Sequence, residues 1–268
     1  MVFWSPIPTT KILFLPSKLL SIIAIGKTNN TEQMNALLLQ TTGFETLLQT
    51  PITYLILVMT CITSYKVMED PYEKEKFMFI PYAIQKDKNE WYRFFSHGLV
   101  HGSWMHLGLN MFVLHMFGPQ VELILKLQFG AAIGPLLYIA LYGSALATSS
   151  IYSFFKHRND RYYRALGASG AISAVVFSAM LMNPFMPMGL ILISDITGIW
   201  FAAFFFGILY LLYSAYKSKQ GNDNIGHDAH YWGAVWGLSF TAIVMPFLLS
   251  NFVDRITTGN FQIFYFGY

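Results

Sequence analysis

Apolar residues in this chain come in long blocks, not in the short alternations of a half-buried strand or the one-sided stripes of a soluble helix. The blocks run approximately over residues 48–66 (LQTPITYLILVMTCITSYK), 104–118 (WMHLGLNMFVLHMFG), 128–152, 169–187, 190–214 and 230–250. Lipid offers a backbone no hydrogen-bond partner, so a crossing segment must close its own bonds, as a helix of roughly 20 mainly apolar residues. Six such blocks predict six membrane-spanning helices and an all-α membrane protein. The second block is short and polar for a span, with two histidines and an asparagine, and is expected to be shielded by other helices.

Nearly all the charge lies between the blocks. The connection 67–103 is long and mixes aromatic with charged residues (DPYEKEKFMFIPYAIQKDKNEWYRFF), the composition of a loop resting at headgroup depth. Residues 1–33 are apolar in patches but interrupted by Pro6, Pro8 and Pro16, which argues against a span. Residues 17–26 have the apolar character of a signal-peptide core without a small-x-small cleavage site after it, and Met34 is an alternative start. The chain is therefore divided into an N-terminal extension, 1–46, interfacial or partly disordered; a six-helix domain, 47–250; and a C-terminal tail, 251–268.

Composition sharpens the class. The 268 residues are 54% hydrophobic, 17% aromatic and only 12% charged, far from a soluble domain. A dispersed net charge of +3 with no basic-aromatic surface motif excludes nucleic acid as a partner. The single cysteine, Cys61, allows no internal disulfide and no zinc spacing, and is expected to be a packing residue.

Four polar side chains recur in HGLVHGSWMHLGLN: His97, His101, His106 and Asn110. His106 and Asn110 are four apart and share a helix face. Interhelical hydrogen bonding is the bland explanation for any one of them. Metal chelation by His97 and His101 is the sharper rival, but HGLVH lacks the glutamate of a zinc protease helix. His115, His157 and His227 complete no histidine box, so no metal is expected.

Ser169, in LGASGAISAVV, opens the fourth apolar block, and His230, in HYWGAVWG, opens the sixth. A serine hydroxyl needs an adjacent base, and an imidazole suits that task. Gly233 and Gly237 form a GxxxG that lets two membrane helices approach closely, while Gly167 and Gly170 flank the serine. Asn110 offers a side-chain amide, His106 an N–H, and Ser169 its own helix-start N–H to a developing oxyanion. His97 and His101 are polar groups placed to hold water. GxSxG is absent because Ala171 replaces the last glycine.

Together these residues resemble the rhomboid family of intramembrane serine proteases. The resemblance runs in order over about 160 residues: WYRFFSHGLVHGSWMHLGLNMFVLHMFGPQVE, then GASG, then AHYWGAVWG, with the spacings HxxxHxxxxHxxxN, GxSG and HxxGxxxG. It implies a six-helix rhomboid-like bundle with a membrane-associated first loop. Ser169 would be the nucleophile and His230 the general base of a dyad without an acid, with Asn110 and His106 at the oxyanion and Gly167 as the first glycine of GxSG. Arg93 and Glu122 would form a pair bracing the first loop, and IWFAAFFFGILYLLY would occupy the place of the lateral gate.

The implied reaction is hydrolysis of a peptide bond in or near a transmembrane segment of another membrane protein, without metal, cofactor or ATP. The implied setting is a lipid bilayer, the inner membrane of a bacterium. The competing reading is an inactive rhomboid-like protein that binds transmembrane clients.

Two departures stand out. Several bacterial members carry, four residues after the serine, an aromatic beneath the base. Here that position is Ser173, and Trp232 or Phe177 is expected to support the His230 ring instead. Family topology would also put 12 lysines and arginines in outer loops and five inside, against the positive-inside bias.

Overall fold

The computed structural model describes residues 43–188, 199–220, 226–259 and 264–266. The readings made of residues 1–33 lie outside them.

Helix α1 (Gly43–Gln49) leads into α2 (Pro51–Val67). Pro51 opens α2 at a position where a backbone N–H would have no helical partner. The next two amides, of Ile52 and Thr53, donate to the Glu122 carboxylate at 3.0 and 2.7 Å, and the Thr53 hydroxyl donates at 2.7 Å. A negative charge suits the positive end of a helix dipole. Fully buried Glu122 therefore docks the start of α2 onto the interior of the bundle.

The long connection is built from short pieces: α3 (Pro71–Phe77), α4 (Pro81–Lys86), a 3-10 turn (Lys88–Tyr92), α5 (Arg93–Ser96) and a second 3-10 turn (His97–Leu99). Asp70 caps α3 by accepting from the Tyr72 and Glu73 amides, both at 3.0 Å. Buried Arg93 gathers these pieces, donating from Nη1 to the carbonyls of Glu75 (2.6 Å) and Met78 (2.8 Å) while Nε pairs with Glu90. The expected Arg93–Glu122 pair is thus corrected. Each of the two has closer partners, Arg93 within the loop and Glu122 at the start of α2.

Helix α6 (Trp104–His157) takes up the second and third apolar blocks in one run of 54 residues. Gly130, at φ 85° and ψ 166°, breaks it in a conformation that only glycine adopts freely. A Cβ on Gly134 would lie 2.3 Å from the Lys126 Cα, and one on Gly118 would lie 2.8 Å from the Tyr138 hydroxyl. Both contacts straddle Gly130, so the stretches 104–129 and 131–157 fold back on each other as a hairpin. The short polar block 104–118 is in this way the first part of a longer helix, and Asn110 lies buried in it.

Helix α7 (Ser169–Met182) is buried along nearly its whole length and forms the centre of the bundle. Helix α8 (Ala203–Gln220) and helix α9 (His227–Val244) follow, and α10 (Phe247–Thr257) turns by 101° from α9. Three short strands, β1 (Pro187–Met188), β2 (Ile199–Ala202) and β3 (Phe264–Phe266), pair antiparallel in that order. This sheet corrects two expectations. Within the block at 190–214 the strand β2 immediately precedes α8, which begins at Ala203, and the tail 251–268 carries most of α10 and a strand.

Among the described residues, α6 alone is a single helix long and apolar enough to cross a bilayer. The bent pair α9–α10 qualifies together, while α2, α7 and residues 203–216 are apolar but shorter. Cys61 is exposed on α2, beside exposed Val58, Met59 and Ile62, so it does not pack in the interior as expected.

Candidate active site

Two glycine contacts set the site. A Cβ on Gly233 would fall 2.0 Å from the Gly170 carbonyl oxygen, and one on Gly237 would fall 2.1 Å from that of Ala174. Helices α7 and α9 therefore touch backbone to backbone, which only a bare Cα on α9 permits. Gly170 is tight from the other side too, since a Cβ there would lie 2.4 Å from the Ser149 hydroxyl oxygen and 3.4 Å from the Ala229 carbonyl. Ser169 precedes Gly170 and His230 follows Ala229. The two half-buried residues thus flank the closest approach of the two helices, each in the first turn of its own.

The chain ahead of the serine is held in an unusual shape. Gly167 has φ +111°, and a Cβ there would lie 2.7 Å from His106 Cε1, so the His106 ring packs on bare backbone. The Gly167 N–H donates to the His97 carbonyl at 2.9 Å. The Ala168 N–H donates to His101 Nε2 at 3.4 Å, while His101 Nδ1 lies 3.0 Å from the Ser64 hydroxyl, which itself donates to the Leu99 carbonyl at 2.9 Å. This relay assigns the His101 proton to Nδ1.

His97 Nε2 lies 3.2 Å from the Ser150 hydroxyl and 3.3 Å from the Leu146 carbonyl. Both histidines precede α6, and burial holds both imidazoles below their ordinary range, His101 down to about 3. They are neutral hydrogen-bonding groups with different partners, not a chelating pair.

Asn110 sits one turn beyond His106 on α6, and its Nδ2 is buried without a hydrogen-bond partner. The first helical bond of α7 runs from the Ile172 N–H to the Ala168 carbonyl at 3.0 Å, which leaves the Ser169 amide ahead of the ladder. An uncommitted side-chain amide and a helix-start N–H are the donor types an oxyanion needs. Ser169 Oγ makes no hydrogen bond to His230 among the described residues; helix contact, not a formed bond, brings the two together.

The rings around His230 differ from expectation. Tyr210 on α8 lies 6.5 Å away at 25°, and His227 lies 6.0 Å away at 79°. Trp232 pairs with Tyr152 instead, and Phe177 meets Tyr210. Sequence reasoning missed Tyr210 because it lies 37 residues from Ser173, whose hydroxyl it meets at 3.1 Å. No local spacing signals that contact.

No curated protein matches the chain closely enough to count as a relative. A family model described as the Rhomboid domain matches residues 88–247, an interval that holds Arg93, the four polar residues ahead of and on α6, Ser169, His230 and the GxxxG. That match covers more than half of a mostly helical chain, which is thereby an integral membrane protein belonging to the rhomboid family.

Proposed function

We propose that the chain is an active intramembrane serine endopeptidase, built as a six-helix bundle over residues 47–250, that cuts a peptide bond in or near the transmembrane segment of another membrane protein. The observation that carries this reading is the backbone contact of Gly170 with Gly233, which sets Ser169 and His230 at facing helix starts. Helix α7 has 14 residues, about 21 Å of helix against a hydrocarbon layer about 30 Å thick. With its far end at one membrane surface, its first residue lies below the other, where a substrate segment and water both have access.

In the proposed reaction Ser169 Oγ attacks the scissile carbonyl carbon while His230 takes the hydroxyl proton. The Asn110 side-chain amide, the His106 N–H and the Ser169 amide stabilise the oxyanion. The intermediate collapses as the C–N bond breaks, and His230 returns the proton to the leaving amine. Water, activated by the same imidazole, then hydrolyses the acyl-serine. His97 and His101 keep the approach polar and hold the chain ahead of the nucleophile. The first loop rests on the bilayer with Tyr72, Trp91 and Tyr92 exposed at headgroup depth. A bacterial inner membrane, with the site opening outward, is the proposed setting.

The test is incubation with a model transmembrane substrate in detergent or liposomes, comparing wild type, Ser169→Ala and His230→Ala by fragment mass, alongside labelling by a fluorophosphonate. Cleavage and labelling lost in both variants are expected. Cleavage surviving Ser169→Ala defeats the assignment, and a wild type that binds but never cuts a client points to the inactive relative.

A further inference from the structure

Tyr210 touches both halves of the site from a third helix. Its hydroxyl meets Ser173 on α7, one turn after Ser169, at 3.1 Å. Its ring lies nearly parallel to the His230 imidazole on α9, 25° between planes and 6.5 Å between centroids, within the range of offset aromatic pairs. Phe177, one turn further along α7, also meets the tyrosine ring, at 5.6 Å between centroids. Helix α8 can come this close because Gly207 bears no side chain. A Cβ there would lie 3.1 Å from the Met180 sulfur and 3.4 Å from Phe177 Cε1.

Away from Tyr210, α8 exposes Ile208, Leu212 and Tyr216. One short helix thus carries a lipid-exposed face and a single aromatic aimed at the base.

We propose that Tyr210 is the positioning residue of the general base: Ser173 anchors its hydroxyl, and its ring fixes the plane and reach of the His230 imidazole toward Ser169. This rests on the protease reading above. An imidazole free to rotate about its side-chain bonds accepts the serine proton only in a fraction of its orientations, and a misplacement of about 1 Å lowers rate by about a hundredfold. Because the support comes from α8 and not from α7 itself, a displacement of α8 away from α7 withdraws the ring from the base. Substrate segments that push α8 aside and the alignment of His230 are therefore mechanically linked.

The test measures the second-order rate of fluorophosphonate labelling and the kcat and KM for a transmembrane substrate in the full-length protein. The variants are Tyr210→Leu, Tyr210→Phe, Ser173→Ala and the Phe/Ala double, each with a thermal midpoint. Tyr210→Leu is expected to label more than about tenfold slower and to lose kcat with KM unchanged. Tyr210→Phe keeps the ring and is expected within about threefold of wild type. Ser173→Ala is expected to match it, and the double to be no worse than either, because all three remove one hydrogen bond.

A folded Tyr210→Leu that labels at the wild-type rate overturns the proposal, as do additive losses in the double, which remain measurable if the leucine variant does not fold. A wild type that labels no faster than Ser169→Ala overturns the protease reading and this proposal with it; a labelling wild type with an equally reactive Tyr210→Leu overturns the proposal alone.

Discussion

Gly233→Ala is the most demanding perturbation of the site because it adds one carbon and removes nothing. The new Cβ would lie 2.0 Å from the Gly170 carbonyl oxygen, whereas ordinary contact begins at 3.4 Å, so α9 must move from α7 by about 1.4 Å. The obstacle is backbone in the first turn of a buried helix, which cannot swing aside as a side-chain tip would. His230 lies one turn from the new methyl and Ser169 next to the oxygen it strikes, so the displacement passes almost undiminished to the dyad. A shift of this size costs about a hundredfold in rate, and overpacking of a filled interior costs about 1–3 kcal/mol.

The expected outcome is therefore a loss of about a hundredfold or more in kcat with a lowered thermal midpoint in detergent. Gly108→Ala and Gly143→Ala are the controls. Nothing lies within 4 Å of a Cβ at either position. Both sit inside α6, where alanine is the better helix former by about 1 kcal/mol, so their stability should hold or rise. A Gly233→Ala protein with wild-type turnover and midpoint would refute the helix contact on which the site is built.

Three further outcomes are expected. Glu122→Ala strands the amides of Ile52 and Thr53 in a dry interior and should destabilise by about 1–3 kcal/mol for each, with Glu122→Gln intermediate; an unchanged midpoint in urea-assisted melting contradicts the capping role. Asn110→Ala removes a donor with no other partner and should lower kcat by about 10²–10³ with KM little changed, whereas a loss confined to KM would make it a binding residue. His101 stays neutral in the fold while the unfolded chain takes up a proton below about pH 6.5. Its share of stability is thus complete above that pH and falls by about 1.4 kcal/mol per unit as pH drops toward about 3. His101→Gln should flatten this acid limb of the midpoint, and an unaltered limb assigns it to other groups.

Legibility from sequence divides along a physical line. Long apolar runs are imposed by lipid and need only composition to be seen, so α2 at residues 51–67 lies almost where the block at 48–66 put it. The GxxxG was legible for a related reason: Gly233 and Gly237 advertise the absence of atoms, and α7 fills the space they leave. Gly130 had the same chemistry but no pattern around it, so the separate blocks at 104–118 and 128–152 implied a reversal between them without showing that it falls at residue 130.

Partner choice was the least readable layer. Arg93 and Glu122 are a plausible ion pair in one dimension, yet Glu90, three residues before Arg93, and the bare helix start at Ile52 and Thr53 are nearer in three. For Arg93 the local partner wins because ordering fewer residues costs less entropy, whereas Glu122 takes amides 69 and 70 residues away, farther along the chain than Arg93, because an unpaired buried helix start demands an acceptor. Tyr210 is the converse case, a contact that local chemistry does not announce. With Ser173 at the position one turn after the nucleophile, the space beside the imidazole is left to another element, and the glycine at 207 lets α8 supply a ring from outside. On the protease reading, a base whose support comes from a neighbouring helix responds to the motions of that helix.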